Sequence, residues 1–138
     1  MREGPRYEGK RWLEQALADM EWACRLDDQG GYYLACFLSQ QAAEKALKAF
    51  LYAQGEEVVI GHSVRQLCGR AAGYDEKFQR QQDEWGVLDS YYIPTRYPNG
   101  LPDDIPARVY NHQAGEGALS LADRVIEEVK AWFITPPD

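Results

Sequence analysis

The chain has too few cysteines for a disulfide framework. Cys24, Cys36 and Cys68 are an odd number, and no two of them form a C-x-x-C pair. Cys24 and Cys36 fall inside helical patterns, where a thiol usually packs as a small hydrophobic group. This cysteine usage favours a reducing compartment, and we expect a cytoplasmic protein.

Histidine is scarcer still, and its scarcity argues against a metal site. His62 and His112 are the only two, they lie far apart, and no cysteine or carboxylate stands at a ligand spacing near either. A phosphate-binding P-loop is also missing, because Gly30 and Gly31 are followed by Tyr32 instead of a lysine and a hydroxyl residue. The sequence therefore predicts no metal and no resident cofactor.

Long apolar runs and a positive charge balance are absent as well. No stretch of about 18 uncharged apolar residues occurs, and the start of the chain is charged and contains glycine, so we expect neither a membrane span nor a signal peptide. The 15 basic residues are outnumbered by 22 acidic ones, which gives a net charge of -7. A molecule of this charge repels phosphate backbones, so nucleic-acid binding would need a local basic site.

What the chain does contain is enough apolar material for one domain. Its 138 residues, 45% of them hydrophobic, predict a single domain with a core spanning about residues 10–133. Four tryptophans, nine tyrosines and four phenylalanines are more aromatic residues than a helical core of this size accommodates. Some of them should therefore mark an interface or a binding surface.

Apolar residues recur at helical spacing over most of the chain, and no segment alternates like a strand. The pattern predicts helices over Lys10 to about Asp27, Tyr32 to about Gln54, a brief stretch to about Ala71 behind a capping box at Ser63, about Asp75 to Tyr92, and Asp103 or Asp104 to about Phe133. The second is the most apolar and should lie at the centre. The connections are modest in length, so we expect an all-α, antiparallel up-and-down bundle of four to five helices.

One stripe of polar residues interrupts the apolar central helix. Gln40, Glu44 and Lys48 stand at successive i, i+4 positions, with Gln41 beside them. Such a stripe is most often a hydrogen-bonded seam between helices or a solvated face. On so apolar a helix we expect it to face another chain or the proline-rich loop, as part of a site for a nucleotide, RNA or a partner protein.

The proline-rich loop, residues 93–105, follows the fourth predicted helix. Tyr92, Thr95, Arg96 and Tyr97 stand around its start. The loop could be a rigid connector whose tyrosines pack on the bundle. It could also be a platform on which a nucleotide base stacks while Arg96 contacts phosphate. The sequence leaves these two interpretations open.

A second candidate site lies at the start of the final predicted helix. Arg108 and His112 are four residues apart, which would place both on one face of that helix. A guanidinium beside an imidazole can form a metal-independent phosphodiester site, in which the arginine holds the phosphate and the histidine moves a proton. The alternative is that both are solvated residues at a helix start.

Three blocks of sequence resemble HEPN (higher eukaryotes and prokaryotes nucleotide-binding) domain proteins. The stretch from Phe37 to Ala49, F-L-S-Q-Q-A-A-E-K-A-L-K-A, is similar to their central helix. His62-Ser63 followed by Leu67 is similar to their H-S-x-x-x-L link, and residues 92–98, Y-I-P-T-R-Y-P, are similar to the loop of the short, single-domain members. The order and separation of the blocks also match, so the resemblance covers about residues 10–133.

The resemblance implies a four- to five-helix bundle that forms a homodimer and often acts with a minimal nucleotidyltransferase as a toxin–antitoxin pair. Many members are metal-independent ribonucleases that use an arginine, then four to six residues, then a histidine near the start of the last helix. Here only Val109, Tyr110 and Asn111 separate Arg108 from His112. Compared with the shortest family spacing, this rotates the histidine by about 100° on an ideal helix.

Three functions remain open at this point. The first is a homodimeric module that binds a nucleotide, single-stranded RNA or a nucleotidyltransferase partner through the polar stripe and the loop. The second is a metal-independent ribonuclease that uses Arg108 and His112, with Arg96 as a further phosphate contact. The third is a noncatalytic structural subunit. Whether Arg96 approaches His112 depends on the fold.

Overall fold

The computed structural model describes residues 4–135, and that part of the chain contains no β-strand. Its α-helices are α1 (Pro5–Asp28), α2 (Tyr32–Ala53), α3 (Val64–Ala72), α4 (Lys77–Trp85), α5 (Pro106–Val109) and α6 (His112–Ile134). Two 3-10 helices, Gly86–Tyr91 and Pro98–Gly100, lie between α4 and α5. The expected all-α bundle is confirmed. Over residues 4–135, no helix is long and apolar enough to cross a membrane.

Helices α1 and α2 form an antiparallel pair joined by residues 29–31. Pro5 starts α1 earlier than the sequence predicts, because a proline at the first helical position has a suitable φ and loses no hydrogen bond. Gly30 reverses the chain at a φ of +88°, a conformation that side chains with a Cβ rarely adopt. The two helices pack closely, and a Cβ at Gly9 would lie 2.6 Å from the carbonyl oxygen of Ala49.

Helix α2 lies at the centre of the fold and contacts α1, α3 and α6. Most of its alanines, among them Ala42 and Ala46, are fully buried and let the neighbouring helices approach. Leu47 and Phe50 fill the core between them. Polar groups on the buried sides of this helix must therefore find partners inside the fold.

Ser63 caps α3 as predicted, although only its own half of the capping box is formed among the described residues, and the cap has a second anchor. The Ser63 hydroxyl oxygen accepts a hydrogen bond from the Gln66 amide at 3.1 Å. The Asp89 carboxylate accepts hydrogen bonds from the Ser63 hydroxyl and from the Val64 amide, both at 2.6 Å. Asp89 belongs to the first 3-10 helix. The cap therefore holds the α2–α3 link next to the start of the proline-rich loop.

The fourth predicted helix is α-helical only as far as Trp85. Gly86 has a low helix propensity, and a Cβ there would lie 3.0 Å from the Arg65 Cβ. From Gly86 the chain tightens into a 3-10 helix that ends at Tyr91. Tyr92 therefore enters the loop from a 3-10 turn and not from an α-helix.

The final predicted helix, from Asp103 or Asp104 onward, is wrong at its start. The chain forms only the short α5 and then breaks at Tyr110 and Asn111, whose backbones are extended. Asn111 caps α6 by accepting a hydrogen bond from the Ala114 amide at 3.0 Å. Asparagine is favoured as an N-cap and unfavourable inside a helix, so α6 begins directly after it.

Of the two cysteines expected to pack in the core, Cys36 does and Cys24 does not. Cys36 and Cys68 are buried, and burial raises the pKa of Cys36 to about 12 and that of Cys68 to about 11. Cys24 is exposed on α1, so the expectation that its thiol packs as a core group is wrong. It lies at the edge of the apolar stripe of α1, where helical spacing alone does not decide burial.

Candidate functional site

The polar stripe of α2 is buried inside the fold. Gln40, Glu44 and Lys48 are 0%, 4% and 6% exposed. The Lys48 ammonium pairs with the Glu44 carboxylate at 3.1 Å. The Gln40 amide donates to Glu44 at 3.4 Å and to the backbone carbonyl of His62 at 2.7 Å, while Gln41 donates to the Gln40 side-chain oxygen at 2.8 Å. The stripe is therefore a connected network that faces the α2–α3 link.

His62 connects this network to the proline-rich loop. Its Nδ1 lies 3.4 Å from each oxygen of the Glu44 carboxylate. Its ring stacks on that of Tyr92, with centroids 5.0 Å apart and an interplanar angle of 16°. The side chain is 60% exposed, and within residues 4–135 its Nε2 has no hydrogen-bond partner. One edge of the imidazole thus faces the buried network and the other faces outward.

Arg96 lies on a patch of aromatic rings. Its guanidinium carbon is 4.7 Å from the ring centroid of Phe37, 4.5 Å from that of Tyr92 and 5.3 Å from that of Tyr97. Its Nε donates to the Tyr92 carbonyl at 2.8 Å. No carboxylate in the part of the chain that the structure describes pairs with this guanidinium. Its charge is therefore held in place and left available for a ligand.

The structure connects the polar stripe to the start of the loop through His62. We call Phe37, His62, Tyr92, Arg96 and Tyr97 the Arg96 surface. Sequence reasoning missed His62 and Phe37 as site residues. Phe37 stands three and four residues before Gln40 and Gln41, hence on the side of the stripe, and this spacing could have identified it. His62 carries no such local signal.

Thr95 lies under the loop and not on the Arg96 surface. It is 1% exposed, and its hydroxyl donates a hydrogen bond to the Tyr91 carbonyl. This bond closes a turn of backbone directly before Arg96. Thr95 therefore stabilises the conformation that presents Arg96, and its predicted contact with a ligand stays a prediction.

Arg108 and His112 lie on different helices. The Arg108 side chain is 69% exposed on α5, and its Nε pairs with Asp104 at 2.9 Å. A hydrogen bond from the Ile105 amide and the Arg108 guanidinium lower the pKa of Asp104. His112 begins α6, is 68% exposed, and its Nε2 lies 3.2 Å from Glu116. The expectation that both residues share one face of a single helix is wrong, because the chain breaks between them.

The surroundings of His112 are acidic and aromatic. Its ring meets that of Tyr32 edge-on at 5.7 Å. Asp27 is a further neighbour, and its Oδ1 is buried with no hydrogen-bond partner in residues 4–135. Burial raises the pKa of Asp27, and the charge of nearby His112 opposes that rise. No hydrogen bond, ion pair or ring contact joins His112 to Arg96 or Arg108 in this part of the chain.

The Arg96 surface has the groups that an anion-binding site uses. A guanidinium presents a planar set of donors that matches a phosphate, and an aromatic ring beside it can stack on a base. The Tyr97 side chain is 51% exposed and provides such a ring. Between residues 4 and 135, no three histidine, cysteine, aspartate or glutamate side chains are grouped so that they could hold a metal ion.

The fold and the Arg96 surface together define a class of protein, a small antiparallel helical bundle with a cationic and aromatic surface patch above a buried polar network. The HEPN domain family model matches residues 10–132, which is most of the chain. The chain belongs to the HEPN domain family. The resemblance to this family is thereby confirmed, and the likeness of residues 92–98 to the loop of its short, single-domain members stays a prediction.

Solved structures of related proteins agree with this assignment. TT1696 from Thermus thermophilus is 38% identical, with a TM-score of 0.83 over 89% of this chain and 96% of that one. ST0689, an archaeal HEPN homologue, is 32% identical, with a TM-score of 0.68 over 91% and 97%. The HEPN domain protein tm0613 from Thermotoga maritima is 26% identical, with a TM-score of 0.71 over 91% and 99%. No curated protein matches the chain.

Proposed function

We propose that this HEPN domain protein binds the phosphate of a nucleotide or of single-stranded RNA at the Arg96 surface. The observation that carries the proposal is the state of the Arg96 guanidinium, which rests on three aromatic rings and has no carboxylate partner within residues 4–135. An arginine held in this way presents a preorganised pair of donors to a phosphate. The aromatic faces beside it suit a base or a sugar.

The charge distribution supports a local site over a long basic track. The chain has a net charge of -7, which disfavours binding along an extended nucleic acid. Many basic side chains on the helices, among them Arg25, Arg65 and Arg124, pair with carboxylates. Arg96 is a positive centre on an otherwise acidic molecule, so we expect a mononucleotide or an RNA end to bind better than a duplex.

The proposal is tested by measuring the binding of a short fluorescein-labelled single-stranded RNA in EDTA by fluorescence anisotropy. Arg96→Ala should weaken binding about tenfold or more, since a hydrogen bond to a charged group contributes about 1.5–3 kcal/mol. Arg25→Ala is the matched control, because that arginine is exposed and already paired with Glu21. Circular dichroism verifies that both variants fold. Unchanged binding by Arg96→Ala contradicts the proposal.

A homodimer is part of the proposal, supported by the family resemblance and by one surface feature. Val58 and Ile60, in the α2–α3 link shortly before His62, are 72% and 74% exposed. Exposed apolar side chains this close together suit a subunit contact. Light scattering should give a dimer mass, and the double variant Val58→Glu, Ile60→Glu should give a monomer. A monomer mass for the unaltered chain at every concentration contradicts the dimer.

The partner we propose is a minimal nucleotidyltransferase, in a cytoplasmic toxin–antitoxin pair, because short HEPN proteins often act with one. If the adjoining reading frame encodes such an enzyme, the two purified proteins should form a complex on gel filtration. Expression of this chain alone should slow growth, and co-expression of the enzyme should relieve the effect. Two proteins that elute separately at all concentrations would remove this part of the proposal.

The ribonuclease hypothesis for Arg108 and His112 is tested on the same RNA. Cleavage in EDTA that is present in the unaltered protein and absent in His112→Ala would support it. We rank it second, because the break between α5 and α6 places the two residues on different helices and each has a carboxylate of its own.

A further inference from the structure

We infer that the Arg96 surface selects ribonucleotides, because His62 is held in a form that accepts a hydrogen bond from a sugar hydroxyl. The inference rests on the proposed binding of phosphate at Arg96. It gives His62 the role of a specificity-determining residue and narrows the ligand to a ribose that carries a phosphate.

The first step concerns the Nδ1 side of His62. Nδ1 lies 3.4 Å from both oxygens of the Glu44 carboxylate. A carboxylate accepts hydrogen bonds and has none to donate, so Nδ1 must carry the proton in this contact. In the neutral ring the proton is then on Nδ1, and Nε2 presents a lone pair on the exposed edge.

The second step concerns what fixes the ring in this orientation. Stacking on Tyr92 sets the plane of the imidazole. The Gln40 amide binds the His62 backbone carbonyl at 2.7 Å, which sets the position of the residue relative to α2. Lys48 pairs with Glu44 in a nearly buried site and balances the charge of the carboxylate that faces Nδ1. The orientation of His62 therefore depends on several contacts that do not involve a ligand.

The third step places Nε2 near the bound phosphate. The His62 ring centroid is 5.0 Å from the Tyr92 centroid, and the Arg96 guanidinium carbon is 4.5 Å from that same centroid. Both groups contact the same ring, so we place the sugar of a nucleotide whose phosphate is bound at Arg96 beside the exposed edge of His62. A ribose has hydroxyl donors that match the Nε2 lone pair. A deoxyribose lacks one of them and leaves the acceptor with a poorer partner.

The first test measures the tautomer of His62 and needs no ligand. The sequence has only two histidines, so comparison with His112→Ala assigns the ring nitrogens in a nitrogen-15 NMR spectrum. In the neutral ring we expect the proton on Nδ1. A proton on Nε2 instead would overturn the inference.

The second test compares adenosine 5'-monophosphate with its 2'-deoxy and 3'-deoxy counterparts by NMR titration. The unaltered protein should bind the ribonucleotide about threefold to tenfold more tightly than at least one deoxy form, as expected for one hydrogen bond. His62→Asn can still donate toward Glu44 and has no acceptor in the place of Nε2, so the preference should disappear. His62→Gln, whose side-chain oxygen can take that place, should keep part of it. Asp28→Asn, at an exposed position of α1, should keep all of it.

The outcomes separate this inference from the proposed function. Equal binding of the ribose and deoxyribose forms, or a preference that survives in His62→Asn, overturns the sugar selectivity. If binding in those cases still depends on Arg96, the phosphate site stands. If the unaltered protein binds neither these nucleotides nor the labelled RNA, the phosphate site fails, and the selectivity fails with it.

Discussion

Two regions of this protein contain an arginine and a histidine, and they differ in what surrounds the pair. At the Arg96 surface, His62 and Arg96 contact the same Tyr92 ring, and a buried network from α2 lies beneath them. At the α5–α6 junction, Arg108 and His112 are about equally exposed and each has its own carboxylate. A shared packing neighbour therefore indicates more about a site than closeness in sequence does.

The two regions should also differ in how much their ion pairs affect the stability of the fold. An ion pair in solvent contributes little to stability, because water screens it and both side chains remain mobile. Breaking a buried ion pair is strongly destabilising, because the remaining charge is then buried without water or a counterion. Mutations that remove charges should therefore separate the two regions clearly.

Lys48→Ala should have the largest effect on stability. It leaves Glu44, which is 4% exposed, without its cation, and breaking a buried pair in this way costs about 3–5 kcal/mol of the free energy of unfolding. Urea unfolding followed by circular dichroism measures the loss. The double variant Glu44→Gln, Lys48→Met should recover much of it, because neither charge is then buried alone.

Arg108→Ala provides the control from the other region. Its partner Asp104 is exposed, so the urea midpoint should not move measurably. If Lys48→Ala were as mild as Arg108→Ala, burial of the network would not be what distinguishes the two regions.

Gly115→Ala should have the next largest effect, and it tests how α6 packs beside His112. A Cβ at residue 115 would overlap the Asp27 Oδ1 and lie 3.3 Å from the Tyr32 ring. Overpacking of this kind costs about 1–3 kcal/mol. Gly117→Ala on the same helix has nothing within 4 Å of the added Cβ and should gain about 0.5–1 kcal/mol. In thermal unfolding, Gly115→Ala should lower the midpoint and Gly117→Ala should raise it. A higher midpoint for both variants would mean that this end of α6 is loosely packed.

The sequence predicts the helices well where their ends carry local signals. The N-cap at Ser63 and the reversal at Gly30 are of this kind, and both are found. The prediction fails at Gly86 and Asn111. Apolar residues continue at helical spacing there, but the backbone leaves the α-helical conformation. Gly86 changes because it packs against Arg65, and Asn111 changes because its side chain caps a new helix. Neither cause is visible in periodicity.

The candidate site was less predictable, because its contacts are long-range. The polar stripe was expected to face another chain or the loop, and instead it is buried against the α2–α3 link. Gln40 bonds to a carbonyl 22 residues away, and Glu44 meets a ring 18 residues away. Which link residue meets which stripe residue depends on how α2 packs, and no helical spacing contains that information.

Asn111→Ala tests the break that separates Arg108 from His112. It removes the side-chain cap of α6, and loss of an N-cap costs about 1 kcal/mol. Asn99→Ala, at an exposed position of the proline-rich loop, is the matched control and should leave the thermal midpoint unchanged. A more stable Asn111→Ala variant would indicate that α5 and α6 can join, which would place Arg108 and His112 on one face of a single helix as the sequence predicts.

Asp27→Asn should have the smallest effect on stability. At neutral pH it should stabilise the fold, whereas Glu44→Gln should destabilise it. Burial raises the pKa of Asp27 in the folded protein, so the folded state binds its proton more tightly than the unfolded state does. The resulting stability is present at acidic pH, below the unfolded pKa, and is lost as pH rises through the folded pKa. At neutral pH the charged Asp27 is therefore a small cost that asparagine removes.

Thermal unfolding over a pH series measures this difference. Asp27→Asn should raise the midpoint by about 2 °C at neutral pH and lose that advantage in acid, whereas Asp28→Asn, at the exposed neighbouring position, should do neither. Glu44→Gln should lower the midpoint at neutral pH, because Lys48 is then buried without its partner. If Asp27→Asn lowers the midpoint instead, Asp27 and His112 form a stabilising ion pair. The α5–α6 junction would then contain a partly buried carboxylate paired with a histidine, in addition to the exposed pair with Glu116, and the contrast between the two regions would narrow.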